Sequence, residues 1–254
     1  MRINLVYINE IKNMLRSEGR VLTLNGFNKA IFIGCVHCDT SSLKWVIDRY
    51  GEEQGTAIVT VGDILDRGRL KSGLKCLDLL FKAKMHGGNV FICQTNHFTY
   101  HHIPYYPADF WDNLDDPDFL AFSELFDLLP YAVLTNNGII ACHGLPVKNL
   151  ANADNIKIGS SDWRTLTWCR LSAAMVTPAY IESVLSSNGG SIIIRSHDHY
   201  AETETHNKKV LTFTTSGNLP NTRRLVVMVD LTKRINNIGD VNIIDIDREM
   251  VLAR

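Results

Sequence analysis

The sequence predicts an α/β fold: a two-sheet β-sandwich flanked by helices and built on a βαβαβ core. Three observations predict it. Short, almost wholly apolar runs alternate with longer segments of helical period in the first hundred residues, as expected of strands buried on both faces and joined by crossover helices. The second half then supplies further short apolar runs, two of them separated by Asn136-Asn137. Metal-capable and charged residues collect at the ends of these runs, where open α/β sheets place their ligands.

Taken in order, residues 1–20 carry Leu5, Val6, Ile8, Ile11 and Leu15 at near-helical spacing, predicting an amphipathic lead-in helix within residues 1–28. Residues 30–34, 57–61 and 89–94 read as buried strands. Residues 41–50 and 70–85 read as the helices between them, the first capped by Asp39 or Thr40 and the second ending at His86-Gly87-Gly88. Such a βαβαβ run implies parallel strands with right-handed crossovers. Further on, residues 116–129, 162–174 and 177–187 look helical, and Pro178 suits a first turn. Residues 132–135 and 138–142 form a hairpin pattern. Residues 191–196, 210–214, 224–230 and 241–246 are strand-like.

The 254 residues, 45% of them apolar, can bury a sizeable core without staples, and are expected to form a single domain over 1–254. A formal net charge of -1 gives no global field for nucleic acid. No apolar run approaches about 18 residues, and the N-terminus lacks the pattern of a signal peptide. Neither membrane nor nucleic acid is an expected partner. Six cysteines, four of them (Cys76, Cys93, Cys142, Cys169) in apolar or helical contexts, fit a reduced, cytoplasmic protein.

The chemistry-bearing residues follow the apolar runs one after another. Cys35-Val36-His37-Cys38 follows the first, and Gly62-Asp63-Ile64-Leu65-Asp66-Arg67-Gly68 the second. Asn96-His97-Phe98 comes after the third. His143-Gly144 closes the hairpin, and Arg195-Ser196-His197-Asp198-His199 ends a later strand. Carboxylate, imidazole and amide oxygen suit first-row divalent metals. Two such ions can activate water and clamp a phosphate, while an arginine fork matches phosphate oxygens.

This order resembles the calcineurin-like metallophosphoesterase superfamily, and within it the phosphoprotein phosphatase family. That family carries GDxHG, GDxxDRG, GNHE, HGG and RxH in succession. The second motif is complete here, His143-Gly144 keeps the HG core, Arg195-Ser196-His197 matches RxH, and Asn218 keeps its place in a later loop. The resemblance covers about residues 30–230. It implies a metallophosphatase-like fold and hydrolysis of phosphate monoesters, of the phosphoserine and phosphothreonine type, by metal-activated water. The substrate would be a phosphorylated protein or, alternatively, a nucleotide such as a dinucleoside polyphosphate. A catalytically silent binding protein is a third reading. By the same resemblance Asp63 bridges two divalent ions (manganese, zinc or iron), and His37 serves the first. Asn96, His143 and His197 serve the second. His97 is the general acid, Asp66 orients it, and Arg67 binds phosphate with Arg195 and Arg170 beside it.

The sequence departs from the family at Cys35, where an aspartate is expected, and at Cys38, where a glycine is expected. Three readings stand at this stage: Cys35 ligates as a thiolate and favours a softer metal; the first site is weak and only one ion binds; or catalysis is lost. Cys35 and Cys38 also form a C-x-x-C, so a redox pair is a further alternative. His199, two residues after His197, is placed to supply the missing ligand. Phe98 replaces the family's glutamate. It opens the stretch Thr99-Tyr100-His101-His102-Ile103-Pro104-Tyr105-Tyr106, suited either to stacking on a ring or to plain surface packing.

Overall fold

The computed structural model of the chain describes residues 5–248 and 250–252. Along the chain run α1 (Leu5–Arg16), β1 (Val21–Leu24), β2 (Lys29–Ile33), α2 (Thr40–Tyr50), β3 (Thr56–Thr60), α3 (Leu70–Gly87) and β4 (Val90–Ile92). Then come α4 (Asp116–Phe126), β5 (Ala132–Thr135), β6 (Ile139–Cys142), α5 (Ser161–Trp168), α6 (Pro178–Ser187) and β7 (Ile192–Arg195). The last strands are β8 (Glu204–Thr205), β9 (Val210–Thr212), β10 (Leu225–Asp230), β11 (Asn242–Asp245) and β12 (Met250–Leu252). Two six-stranded sheets result, ordered β1-β5-β6-β7-β9-β8 and β12-β11-β10-β2-β3-β4.

The expected βαβαβ unit is present: β2 pairs parallel to β3, and β3 parallel to β4. Strand alternation assigns each side chain to a layer. Ala30 and Phe32 of β2, Ala57 and Val59 of β3, Ile139 and Ala141 of β6, and Ile192 and Ile194 of β7 all enter one core between the sheets. Their neighbours Ile31, Ile33 and Ile58 face α1–α4 on one outer side. Ile140, Cys142 and Ile193 face α5 and α6 on the other. Burying each Ile, Val or Phe side chain among these stabilises the fold by roughly 1.5–3 kcal/mol. This two-faced burial is why the strands read as unbroken apolar runs.

Helix ends follow the sequence signals. Asp39 caps α2, accepting from the backbone N–H groups of Ser41 and Ser42. Gly88 closes α3 at φ 65° and donates to Lys84 O. Thr177 caps α6 ahead of Pro178.

Three expectations need correction. Residues 1–28 are not all a helical lead-in: α1 ends at Arg16, and Val21–Leu24 pairs parallel with β5. Of the expected helix, residues 1–4 lie outside the described residues. The helix expected over 162–174 stops at Trp168, because Cys169 is extended at ψ 128°. Its continuation is held by tertiary bonds, Leu171 N donating to Asp198 Oδ2 at 3.0 Å. The helix expected over 116–129 ends at Phe126. Among the described residues no helix is long and apolar enough to cross a membrane.

Candidate active site

The site lies where the strands of both sheets end. The exit of β2 meets the exit of β9, with Cys35 bridging to Thr214 and Thr215 N donating to Cys35 O at 2.9 Å. Beside it runs the exit of β3. A Cβ on Gly62 would sit 2.0 Å from Cys35 N, so only glycine lets these two turns approach so closely. Five non-glycine residues here take left-handed backbone: His37 (φ 44°), Cys38 (63°), Asp66 (62°), Arg67 (56°) and His197 (75°). Each such conformation costs on the order of 1–3 kcal/mol and collects where the fold aims functional side chains. Cys38 adopts the left-handed turn at the position where the related motif carries glycine.

Asp63 is buried at the centre. Its Oδ2 lies 3.4 Å from His143 Nε2 and 3.8 Å from both His37 Nε2 and His97 Nε2. Its carboxyl lies well below the usual range although burial opposes ionisation; the pull comes from the protonated forms of the surrounding imidazoles, His143 first, and His97 is the one of them whose own pKa is raised.

The proton positions around Asp63 define the chemistry. His143 donates Nδ1–H to Val61 O at 2.8 Å, which leaves a lone pair on Nε2. His197 donates Nε2–H to Trp168 O at 3.1 Å, which leaves a lone pair on Nδ1. Those two lone-pair nitrogens face each other at 3.1 Å, with Asn96 Oδ1 2.8 Å from His143 Nε2. Burial lowers the pKa of His143 to about 4 and that of His197 well below its ordinary value, so neither ring supplies a second proton. Three acceptors converge with no donor among them, beside a carboxylate whose Oδ1 takes only a long bond from His97 N at 3.4 Å and whose Oδ2 faces the Cys35 thiol at 3.7 Å. Buried polar atoms require a partner, and a divalent cation satisfies all four together.

A second group of potential ligand atoms lies beside Asp63. His37 donates Nδ1–H to Leu65 O at 2.9 Å, and its Nε2 lies 3.3 Å from His199 Nε2. Cys35, His37 and His199 place their ligand atoms within 4.8 Å of one another, as do Cys35, Asp63 and His143. Cys35 Sγ accepts from Asp63 N at 3.3 Å and from Ser196 Oγ at 3.1 Å, and is 3.7 Å from Asp63 Oδ2. Burial, with Asp63 beside it, pushes the thiol up to about 12. Only a cation at the site would make it a thiolate near neutrality. Cys38 points elsewhere. A Cβ on Gly73 of α3 would meet its Sγ at 3.3 Å, and both cysteines are free thiols.

His97 and Asp66 form a dyad. Asp66 Oδ2 accepts from His97 Nδ1 at 2.6 Å and from the Tyr105 hydroxyl at 2.5 Å, and Oδ1 accepts from Phe110 N at 2.7 Å. Burial works against a charged His97, yet Asp63 and the hydrogen-bonded Asp66 raise its pKa. The ring is thereby held with Nε2 toward Asp63 and primed to carry a proton there. Tyr105 also donates toward His97 O at 3.0 Å, with its ring edge-on to His97 at 4.6 Å. Sequence reasoning did not single out Tyr105; its one signal was the aromatic stretch after Phe98.

The three arginines separate. Arg67 is exposed, its backbone N bonded to Asp109 Oδ2, and its charge disfavours protonation of His97 and His199. Arg170 is half exposed and bonds His197 O at 3.1 Å and Asp198 Oδ1 at 3.3 Å. Arg195 was expected to touch substrate. Its side chain has no exposed surface and bonds Gly144 O, Asp198 Oδ2 and Cys169 O. It braces the hairpin exit and the turn after α5, and faces no open space. Asn218 donates to His37 O at 2.8 Å, fixing the turn that carries His37.

A family model described as calcineurin-like phosphoesterase matches residues 29–201. No curated protein sequence matches the chain. Among solved structures, a protein serine/threonine phosphatase from Saccharomyces cerevisiae with similarity to human phosphatase PP5 is similar at TM-score 0.77 and 18% identity. That match covers 94% of this chain and 87% of the yeast chain. A cold-active protein-tyrosine phosphatase of a psychrophile Shewanella species is similar at TM-score 0.63 and 14% identity, covering 96% and 84%. A putative diadenosine tetraphosphatase is similar at TM-score 0.51 and 12% identity, covering 83% and 93%.

Proposed function

The chain belongs to the calcineurin-like phosphoesterase family, and from that premise we propose that it is a metal-dependent hydrolase of phosphate monoesters, of the phosphoserine and phosphothreonine type. The observation that carries the reading is the set of mutually facing acceptors around Asp63, which have no proton to share. Asn96, His143 and His197 would hold one divalent ion and Cys35, His37 and His199 another, with Asp63 between them. Bound there, such ions supply activation of water and neutralisation of phosphate charge.

The chain's own residues provide the rest. Arg67 and Arg170, on the open side, bind phosphate oxygens and orient the ester. His97, its Nδ1 proton fixed on Asp66, delivers a proton from Nε2 to the departing oxygen. Asp66 keeps the ring in that tautomer and stabilises its charged form. Tyr105 and Phe110 N hold Asp66 in place. The buried bonds of Arg195 keep the turn beside His197 from shifting.

One observation favours a second reading, hydrolysis of dinucleoside polyphosphates. Tyr105 stands edge-on to Trp168 at 6.0 Å next to His97, and Tyr106 is 92% exposed. Aromatic groups at that rim are able to stack on a base.

The test is turnover of p-nitrophenyl phosphate by the full chain with manganese, zinc or iron(II) under reducing conditions. The expected result is activity that His97→Ala lowers by about 10²–10⁴ and Asp63→Asn abolishes. No turnover with any of these metals would overturn the proposal. Phosphoserine peptide against diadenosine tetraphosphate then decides the substrate class.

A further inference from the structure

The geometry points to a second, separate divalent-cation site formed by His101, His102 and Asp127, with zinc as its occupant. None of the three belongs to the constellation around Asp63. His101 Nε2 lies 2.9 Å, and His102 Nε2 2.8 Å, from the same oxygen, Asp127 Oδ1. All three ligand atoms fall within 4.8 Å of one another.

Sequence neighbours on a chain usually diverge. Here a turn brings the two imidazoles together: His102 N and Ile103 N both donate to Thr99 O, at 2.9 and 3.0 Å. The ring centroids are 4.0 Å apart at a 47° tilt. Each ring also rests on an aromatic wall, His101 against Trp111 at 5.6 Å and His102 edge-on to Trp163 at 6.0 Å. Asp127 is fixed too, as the C-cap of α4, its N–H bonded to Ser123 O and its carbonyl taking a hydrogen bond from Arg20. Little side-chain freedom remains to be lost on binding, which is the main cost a preorganised site avoids.

Two imidazoles and one carboxylate are the ligand set of a borderline cation and form three corners of a zinc tetrahedron. His101 retains 11% of its side-chain exposure, His102 30% and Asp127 30%, so the fourth corner opens to water. Coordination needs a lone pair on each Nε2. In the zinc-free protein those atoms donate N–H to Asp127. On binding, the Nε2 proton of each ring moves to Nδ1 of that ring or to water, and two N–H···O bonds give way to two N–Zn bonds. His101 Nδ1 is buried with no hydrogen-bond partner among the described residues: no donor there holds the zinc-free tautomer, and an N–H on that atom would be an unpaired buried donor whose cost the zinc bond must exceed. Zinc here would tie the turn that follows His97 to the end of α4. That is a bracing role, distinct from the chemistry at Asp63.

The test is zinc stoichiometry of the full chain by equilibrium dialysis and elemental analysis, wild type against His102→Ala. The variant is expected to bind one equivalent fewer and to keep the zinc held around Asp63. Equal stoichiometry would overturn the inference. A second measurement does not depend on how the variant folds: ring-nitrogen NMR of the wild type during zinc titration. Saturation should move the Nε2 resonances of both His101 and His102. If they stay at their zinc-free positions, the site does not exist.

Discussion

Cys35 is the residue on which the chemistry turns. Its sulfur stands within reach of Asp63, His37, His143 and His199, so a carboxylate in its place would face the same atoms. A thiolate favours softer ions than an aspartate does. Cys35→Asp is therefore expected to move the metal preference from zinc or iron(II) toward manganese, read as turnover with each metal and as metal content. An unchanged ranking would mean Cys35 is not a ligand. Tyr105 shares Asp66 Oδ2 with His97. A hydrogen bond to a charged group is worth about 1.5–3 kcal/mol, so Tyr105→Phe should lower kcat about tenfold or more and leave KM nearly unchanged. A wild-type kcat would limit Tyr105 to packing. At this scale the ligands were legible because each follows an apolar run directly, as Asp63 follows Val61-Gly62. Tyr105 was not, because it reaches Asp66 across 39 residues through a loop whose path only tertiary contacts fix. The burial of Arg195 was hidden for the same reason: its partners Gly144 and Cys169 come from two other segments.

At the scale of elements, α2 shows how one cap serves two segments. Asp39 accepts from Ser41 N, Ser42 N and both serine hydroxyls, and from Gly217 N at 2.7 Å. It thus starts the helix and anchors the loop that carries Asn218. Removing an N-cap costs about 0.5–2 kcal/mol, and the upper end is expected for Asp39→Ala, measured by urea unfolding. Burial opposes ionisation of Asp39, but its hydrogen bonds win and hold the carboxyl below its ordinary value. A group depressed on folding stabilises fully above its unfolded pKa and loses that contribution as pH falls through the folded one. The gap between wild type and Asp39→Ala should therefore narrow below about pH 4; a constant gap would assign the effect to something other than the charge. The capped helices and doubly buried strands were readable since capping residues and apolar runs are local signals. Strand β1 was not, because its four residues are strand only by pairing with β5, more than a hundred residues away. The end of α5 escaped as well, since Asp198 captures Leu171 after the helical period has run on.

At the scale of the whole molecule, the site is a seam between two sheets. Asp63, His37, Cys35 and Asn96 follow strands of one sheet, while His143 and His197 follow β6 and β7 of the other. The protein itself spans the seam with the Cys35–Thr214 bridge and with Ser196 Oγ, which accepts from Cys35 N at 2.8 Å. Between the sheets lies their shared apolar core, and at the seam lie buried lone pairs that repel one another. A divalent ion held there would convert that repulsion into a crosslink made only in the folded state. A ligand at about a hundred times its dissociation constant adds about 2.7 kcal/mol of stability. For a protein of this size that raises Tm by roughly 5–10 °C. Saturating manganese should produce such a rise in the full chain, excess chelator should reverse it, and Asp63→Asn should remove it, all read by calorimetry. Because His102→Ala leaves the seam intact, that variant should keep the manganese-dependent rise. A rise that persists at full size in Asp63→Asn would place the stabilising ion away from the seam, and no rise at all would mean that the facing lone pairs hold no ion.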